Sequence, residues 1–587
     1  MKKKYVRWTL WTIASPFILF VILCILIYLP PIQNFLVDKA AVYASEATGM
    51  NISVGRISLS FPLNLVVTDV DAASPHNDTL LSVRRLQVNV QLLPLLKKQV
   101  EVDGISLQGA TVNSNDLIHG MKLNGTLGEL FISSHGVALD PETAIVNKVL
   151  LKDTDLSLCL NDTAAVDTAA SDTTYWKIIL QDIDLQNVSF ALDMPLDSLS
   201  LAASLDNAIL RDGLIDLHKS AYSLQTFRIE NGRVRYDSGK PLAADSLPSG
   251  LDPSHIALTD IGVKLDSLYY EGRNMKAIIS QFVLKERSGV EIVSATGRMV
   301  SNDKVLRVPS LKLETRDSYL ELNAAMDWNA LDFKGEGLVS ARLMADIGKP
   351  DVVRFMGRMD EKFVRQYPSE PLRIRTGIDG DLNKLKLTTL TAELPGALGL
   401  FARGELTHLT DSLLRGGDIT LEAETKDLKF VSTLAEGIEI PYGTRLEGKF
   451  TMAGTKMGTD LLLMQPEAQA VAAADTIPIT VYNDSISVAD DFKMERAARL
   501  FAKYDLSRDR YEADLAVNHF DLHQFMPADS LYTLSTRLKV EGEGFDFFSP
   551  RTYFNAEGGI DRFHYGSYHL TGISLAAGLE KSKVQAS

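Results

Sequence analysis

Cysteine is nearly absent from this chain: 587 residues hold two, Cys24 and Cys159. Cys24 sits inside a long apolar run and Cys159 far outside it, so no disulfide framework holds the fold. An excess of basic charge is also missing. Lys and Arg number 60 against 75 Asp and Glu, a net charge of −15, which repels nucleic acid and anionic headgroups at long range and excludes nucleic-acid binding. The ten histidines show no metal-ligand spacing. His519 and His523 are four apart, but neither an H-E-x-x-H pattern nor a cysteine pair joins them, and they read as parts of an exposed strand and turn. Serine occurs in no G-x-S-x-G elbow. We therefore assign no catalytic, cofactor-binding or metal-ligating residue, and the expectation is a protein that is not an enzyme.

What is present begins at the N-terminus. Trp8 to Leu29 is an uncharged, mostly apolar run that follows Lys2, Lys3, Lys4 and Arg7, and the next charge is Asp38. A helix needs about 20 such residues to cross a bilayer, and basic residues on its N-terminal side place that side in the cytoplasm. Trp8, Phe17, Phe20, Leu23, Ile27 and Leu29 are the candidate anchor residues. The run exceeds the 7–15 residues of a signal-peptide core, and Leu29-Pro30-Pro31 follows it without a nearby small-x-small site. Val42-Tyr43-Ala44 lies too far downstream to be one. The expectation is a retained single-pass anchor rather than a cleaved signal, with the bulk of the chain on the far side of the membrane. Residues 1–7 form the cytoplasmic tail and 8–29 the anchor.

Ile32 to Thr48 predicts a helix, with Ile32, Phe35, Leu36, Lys39, Ala40 and Tyr43 at helical spacing and Gly49 as its stop. From there the period becomes two. Leu86, Val88, Val90 and Leu92 alternate with Gln87, Asn89 and Gln91; Leu320, Leu322, Ala324, Met326 and Trp328 alternate with Tyr319, Glu321, Asn323 and Asp327; Ala513, Leu515 and Val517 alternate with Glu512, Asp514 and Asn518. Such alternation means strands with one apolar and one wet face. Turn signals fall at Asn231-Gly232, Ser288-Gly289, Asn302-Asp303, Asp379-Gly380 and Arg415-Gly416-Gly417. The fold expected is mainly β: an elongated antiparallel sheet or groove of roughly 40 repeated strands, with a few short helices. Leu86, Val88, Val90, Leu320, Leu322, Met326, Leu515 and Val517 are the candidate groove-lining residues.

Two phrases repeat. Gly104–Val112, Ile183–Phe190 and Phe227–Val234 read as strand–turn–strand, and segments starting at Asp346, Asp427 and Asp521 read as strand ends with helical character. Segments 161–174, 237–253 and 465–476 read as linkers. The chain stops at Ser587 shortly after an Ile573-Ser574-Leu575 strand, as the front of a longer protein would. Gly443 to Lys449 imitates a phosphate loop, but Phe450 stands where Ser or Thr would hold magnesium, so a hairpin turn is the better reading. Gly335-Glu336-Gly337 and Gly542-Glu543-Gly544 lack the third glycine of a dinucleotide loop and read as strand breaks or bulges. Asp followed by Ser or Thr and an aliphatic residue recurs from Asp78 to Asp529. Asx and Ser/Thr turns account for such triplets, which also resemble an O-glycosylation sequon of Bacteroidota.

Pro31-Ile-Gln-Asn-Phe-Leu36, Ala47-Thr-Gly-Met-Asn-Ile-Ser-Val-Gly-Arg-Ile-Ser-Leu59, Leu80–Val90 and Val102–Val112 together resemble the opening of the AsmA/TamB family. The similarity is specific over residues 1 to about 115 and a matter of β-patterning beyond. It implies a single-pass anchor in a bacterial inner membrane with the bulk of the chain in the periplasm, an AsmA-like periplasmic region over 30–240 and a β-groove repeat region over 241–587. It also implies membrane phospholipids as partners, with transport of phospholipid towards the outer membrane. The alternative is a scaffold for outer-membrane protein translocation or assembly, with an outer-membrane β-barrel as partner. The conserved C-terminal region usual in TamB members is not visible, which leaves contact with such a barrel in doubt.

Overall fold

The computed structural model describes Lys39, Ala41, Val42, Ser45 and residues 50–60, 64–74, 79–91, 102–114, 120–138, 142–161, 175–239, 250–334, 337–357, 359–435, 437–466, 480–482, 485–487, 494–546, 548–549, 551–580 and 583–586. The expected tail and anchor, Phe35 and Leu36, and most of the three expected linkers lie outside the described residues. Lys39, Ala41, Val42 and Ser45 are helical, as expected for that stretch. Among the described residues, no helix is long and apolar enough to cross a membrane.

The chain divides into two units. The first comprises Met1–Leu247 and Asp252–Arg287, the second Pro248–Leu251 and Ser288–Ser587. The first unit contains β1 (Asn51–Ser60), β2 (Asn64–Ala73), β3 (Thr79–Val90), β4 (Val102–Asn113), β5 (Met121–Ala138), β6 (Thr143–Leu160), β7 (Lys177–Met194), β8 (Leu199–Asp216), β9 (Ala221–Leu224), β10 (Thr226–Ser238), β11 (His255–Glu271) and β12 (Asn274–Glu286). Neighbours pair antiparallel from β1 to β6. β6 and β7 then run parallel, Thr143 opposite Lys177 and Cys159 opposite Asp193, which breaks the all-antiparallel expectation. Antiparallel pairing resumes from β7 to β8, β10, β11 and β12, with short β9 bridging β8 and β11.

The second unit contains β13 (Glu291–Ser301), β14 (Val305–Thr315), β15 (Tyr319–Asp327), α1 (Trp328–Leu331), β16 (Leu338–Ile347), α2 (Lys349–Met356), α3 (Glu361–Gln366), β17 (Leu372–Asp381), β18 (Lys384–Leu394), β19 (Leu398–Thr407), β20 (Gly416–Thr425), β21 (Arg445–Ala453), β22 (Lys456–Pro466), β23 (Thr480–Tyr482), β24 (Ser485–Ser487), β25 (Met494–Asp505), β26 (Arg510–Asp521), β27 (Leu531–Glu543), β28 (Tyr553–Tyr565), β29 (Tyr568–Glu580) and β30 (Lys583–Ala586). It is an antiparallel meander from β13 to β30, except that β23 and β24 form a separate hairpin and β22 pairs with β25. Fewer strands are described than the roughly 40 expected from typical strand lengths, because many run to 10–18 residues.

The three helical phrases are all present. After Asp346 comes α2, after Asp427 a 3-10 turn (Lys429–Thr433), and after Asp521 another (Leu522–Gln524). Asp521 caps its turn by accepting the backbone N–H of His523 at 3.1 Å, and Asp427, one residue before the cap position of its own turn, accepts that of Lys429 at 3.1 Å. α2 is locked to the β14–β15 turn through buried Asp351. Its carboxylate accepts from Ser318 Oγ at 2.6 Å and from Thr315, and pairs with Arg354 Nη1 at 3.0 Å.

The strand–turn–strand phrases require correction. Each is one continuous strand carrying a bulge. Asp69, Gly109, Asp153, Asn187, Asn231 and Asp260 have φ between 49° and 63° and sit inside β2, β4, β6, β7, β10 and β11. Asn231-Gly232 thus bulges β10 instead of turning a hairpin. Asn, Asp and Gly tolerate the left-handed region better than other residues, and the added residue bends the strand while keeping both sides in the same phase. Replacing Asn231 by Val should lower stability by about 1–3 kcal/mol, while Asn231→Gly should cost under about 1 kcal/mol. Urea unfolding of both variants checks this, and equal costs would remove the bulge from the account.

Candidate apolar groove

Directly paired residues in a sheet point to the same face, so the registers can be followed strand by strand. In the first unit one row reads Ile57, Val67, Leu86, Leu107, Leu130, Leu151, Leu185, Ala208, Ile229, Val263 and Phe282. A parallel row runs from Leu59 through Val88, Ile105 and Ile183 to Ile279 and is equally apolar. The opposite phase carries Arg56, Thr68, Arg85, Gln108, Glu129, Lys152, Gln186, Asn207 and Glu230. One face is hydrocarbon and the other is wet.

The second unit repeats the arrangement. Ala295, Leu313, Leu320, Ala345, Ile374, Ala392, Leu400, Ala423, Leu446, Leu463, Ala498, Val517, Thr536, Ile560 and Ile573 form one row. Leu311, Leu322, Leu343, Leu390, Leu421, Leu461, Leu500, Leu515 and Leu538 belong to the next, interrupted by small residues and Thr376. Threonine is the most polar residue in these two rows.

Most of these side chains are half-buried rather than buried, and Ile105 is 37% exposed. A second layer packed on the face would bury most of them. Compact packing is found instead at the strand ends. Phe363, Tyr367, Leu394, Ala397, Leu428 and Phe430 form one cluster, with Phe363 edge-on to Phe430 at 5.6 Å. Ala330, Val339 and Leu382 form another. Leu394, at the end of β18, belongs to the first cluster, and Leu385, near its start, packs on the second. The clusters therefore flank the open face on its two rims.

Of the sequence-derived lining residues, Leu86, Val88, Leu320, Leu322, Leu515 and Val517 stand in the rows just traced. Val90 sits at the last pair of its ladder, opposite Val102. Met326 faces the same way, paired with Leu306 and Val339, but packs on the Ala330 rim cluster. Trp8, Phe17, Phe20, Leu23, Ile27 and Leu29 lie outside the described residues.

The two faces of β19 to β26 hold hollows of opposite character. One of about 480 Å³ is lined by Leu406, Ile419, Phe450, Met457, Ala502 and Tyr511. The other, about 540 Å³, is lined by Glu422, Glu447, Lys449, Asp460, Arg496 and Arg499. Shifted titrations follow local contacts. Arg499, 2.8 and 2.6 Å from Asp460, holds that carboxyl below its usual range. The Tyr319 hydroxyl donates to Glu321 at 2.8 Å and lowers its pKa. Burial on the apolar side raises the Tyr511 phenol. Among the described residues, no group of three or more His, Cys, Asp or Glu could hold a metal ion. No protein-family model matches the chain, and no curated protein matches it in sequence.

Sequence reasoning missed the row of bulges and a stack of outer-face rings at His523, Tyr532, His564 and His569. An Asn, Asp or Gly inside an otherwise alternating strand, such as Asp153, Asn187 and Asn231, was the available signal for the former. For the latter the signal was His564-Tyr-Gly-Ser-Tyr-His569, two histidines placed symmetrically about a hairpin turn.

An open face loses less on truncation than a closed core. Leu421→Ala should cost about 1 kcal/mol, because its side chain is only partly buried, whereas Phe363→Ala should cost about 3–5 kcal/mol. Chemical denaturation of both variants measures this. A Leu421→Ala cost equal to that of Phe363→Ala would mean that the face is covered in solution.

Proposed function

We propose that the chain is a non-enzymatic lipid conduit, anchored in the inner membrane by residues 8–29 and carrying phospholipid towards the outer membrane. The observation that carries this reading is the pair of apolar rows in each unit, free of charged residues and lacking a packed second layer. Acyl chains laid across the strands exchange water for hydrocarbon at about 0.8 kcal/mol per buried CH₂, while headgroups stay at the open side. The polar face keeps the sheet soluble. The apolar run at Trp8–Leu29 and the AsmA/TamB likeness of residues 1 to about 115 support the same reading, since lipid entering such a groove must leave a membrane beside it.

Photo-crosslinkers at Leu322 and Leu421 should capture phospholipid in cells, and crosslinkers at Tyr319 and Glu321 on the wet face should not. Equal lipid labelling at both pairs of sites would sink the proposal. Protein adducts in place of lipid at the apolar sites would transfer the role to outer-membrane protein assembly.

A further inference from the structure

The outer face of the last strands carries an arrangement that the groove does not use. Of the ten histidines, His519, His523, His564 and His569 all follow residue 518, and three of them join Tyr532 in one stack. His523 lies over Tyr532 at 4.8 Å between ring centres, Tyr532 over His564 at 4.6 Å, and His564 over His569 at 4.1 Å, with neighbouring planes 24–29° apart. His564 and His569 stand directly opposite each other across β28 and β29, one pair before Tyr565 and Tyr568 close the hairpin.

We propose that His564 and His569 chelate one divalent transition-metal ion of the copper, nickel and zinc group. Imidazole nitrogen suits these ions, and copper binds most tightly in that series. Metal–nitrogen bonds of about 2.0–2.1 Å put two nitrogens on one ion roughly 3–3.5 Å apart. The stacked rings, 4.1 Å apart, present faces rather than lone pairs to each other, so binding turns both rings out of the stack until one nitrogen of each points to the ion; directly opposite positions on paired strands allow this without moving either strand. β28 is held between β27 and β29, so the backbone positions of the pair are fixed. Tyr532 packs on the far side of His564 and separates His523 from the ion, which makes His523 part of the stack and not a ligand. Arg562 lies two pairs further along, but its Nη1 is directed to His519 Nε2 at 3.5 Å. Water fills the remaining coordination positions. This site stands independently of the lipid reading.

The test is a Cu²⁺ titration of the full chain, prepared without an affinity tag and stripped with chelator. It is followed by calorimetry and electron paramagnetic resonance. One ion per chain should bind, with hyperfine structure from two imidazole nitrogens. His564→Ala and His569→Ala should weaken binding at least tenfold. His523→Ala should stay within twofold of the parent, as should His218→Ala, whose ring lies tilted against Tyr175 in the first unit. His569 is exposed, and His569→Gln, with unchanged circular dichroism, separates ligand loss from misfolding. Equal affinity of the parent and both His569 variants, a one-nitrogen spectrum, or the absence of saturable binding would each overturn the proposal.

Discussion

Register is the constraint on which the rest of this protein depends. A strand slipped by one residue would turn all its apolar side chains to water. Here the pairing keeps apolar opposite apolar through eleven strands from Ile57 to Phe282. The bulges belong to this constraint. Each adds one residue, so that Val67 and Val70, or Leu151 and Thr154, both stay on the apolar side although three positions apart. Without the extra residue, the second half of each strand would show its polar phase to the groove.

The energetics follow from having little second layer. Backbone ladders satisfy the polar groups of each strand, and side-chain contacts run mostly between neighbours within the sheet. Tight packing is concentrated at the rims, around Phe363 and Phe430 and around Ala330 and Leu382. The open face is thermodynamically costly in water, because its leucines recover only part of their transfer free energy. The lipid proposed above would offset that cost, whereas a closed sandwich would have no need of one. The outer rows, from Arg56 to Glu230, supply the hydration that discourages sheet-on-sheet association.

Alternation around Leu86, Leu320 and Leu515 showed the face of each of those residues, since a strand's two faces are written directly in period two. Helical turns after Asp427 and Asp521 were legible for a similarly local reason, because an Asp that accepts from the turn's backbone lies within a few residues of it. The Asn231-Gly232 pair misled. Its φ preference serves a hairpin turn and a bulge alike, and only the pairing of β10 with β8 and β11 chooses between them. Met326 shows another limit: its phase was readable, its cover by α1 was not. The parallel pairing of β6 with β7 left no trace either, as alternation is the same in both directions.

By itself the sequence determined a mainly β chain without disulfides, with an apolar and a polar side to its strands and an apolar N-terminal run, since composition and period are local properties. Tertiary structure decided which strands became neighbours, that apolar residues line up in rows across them, that these rows are left half-covered, and that His564 meets His569. Those outcomes are set by hydrogen-bond registers between segments, and a register is a property of two strands together that neither strand carries alone.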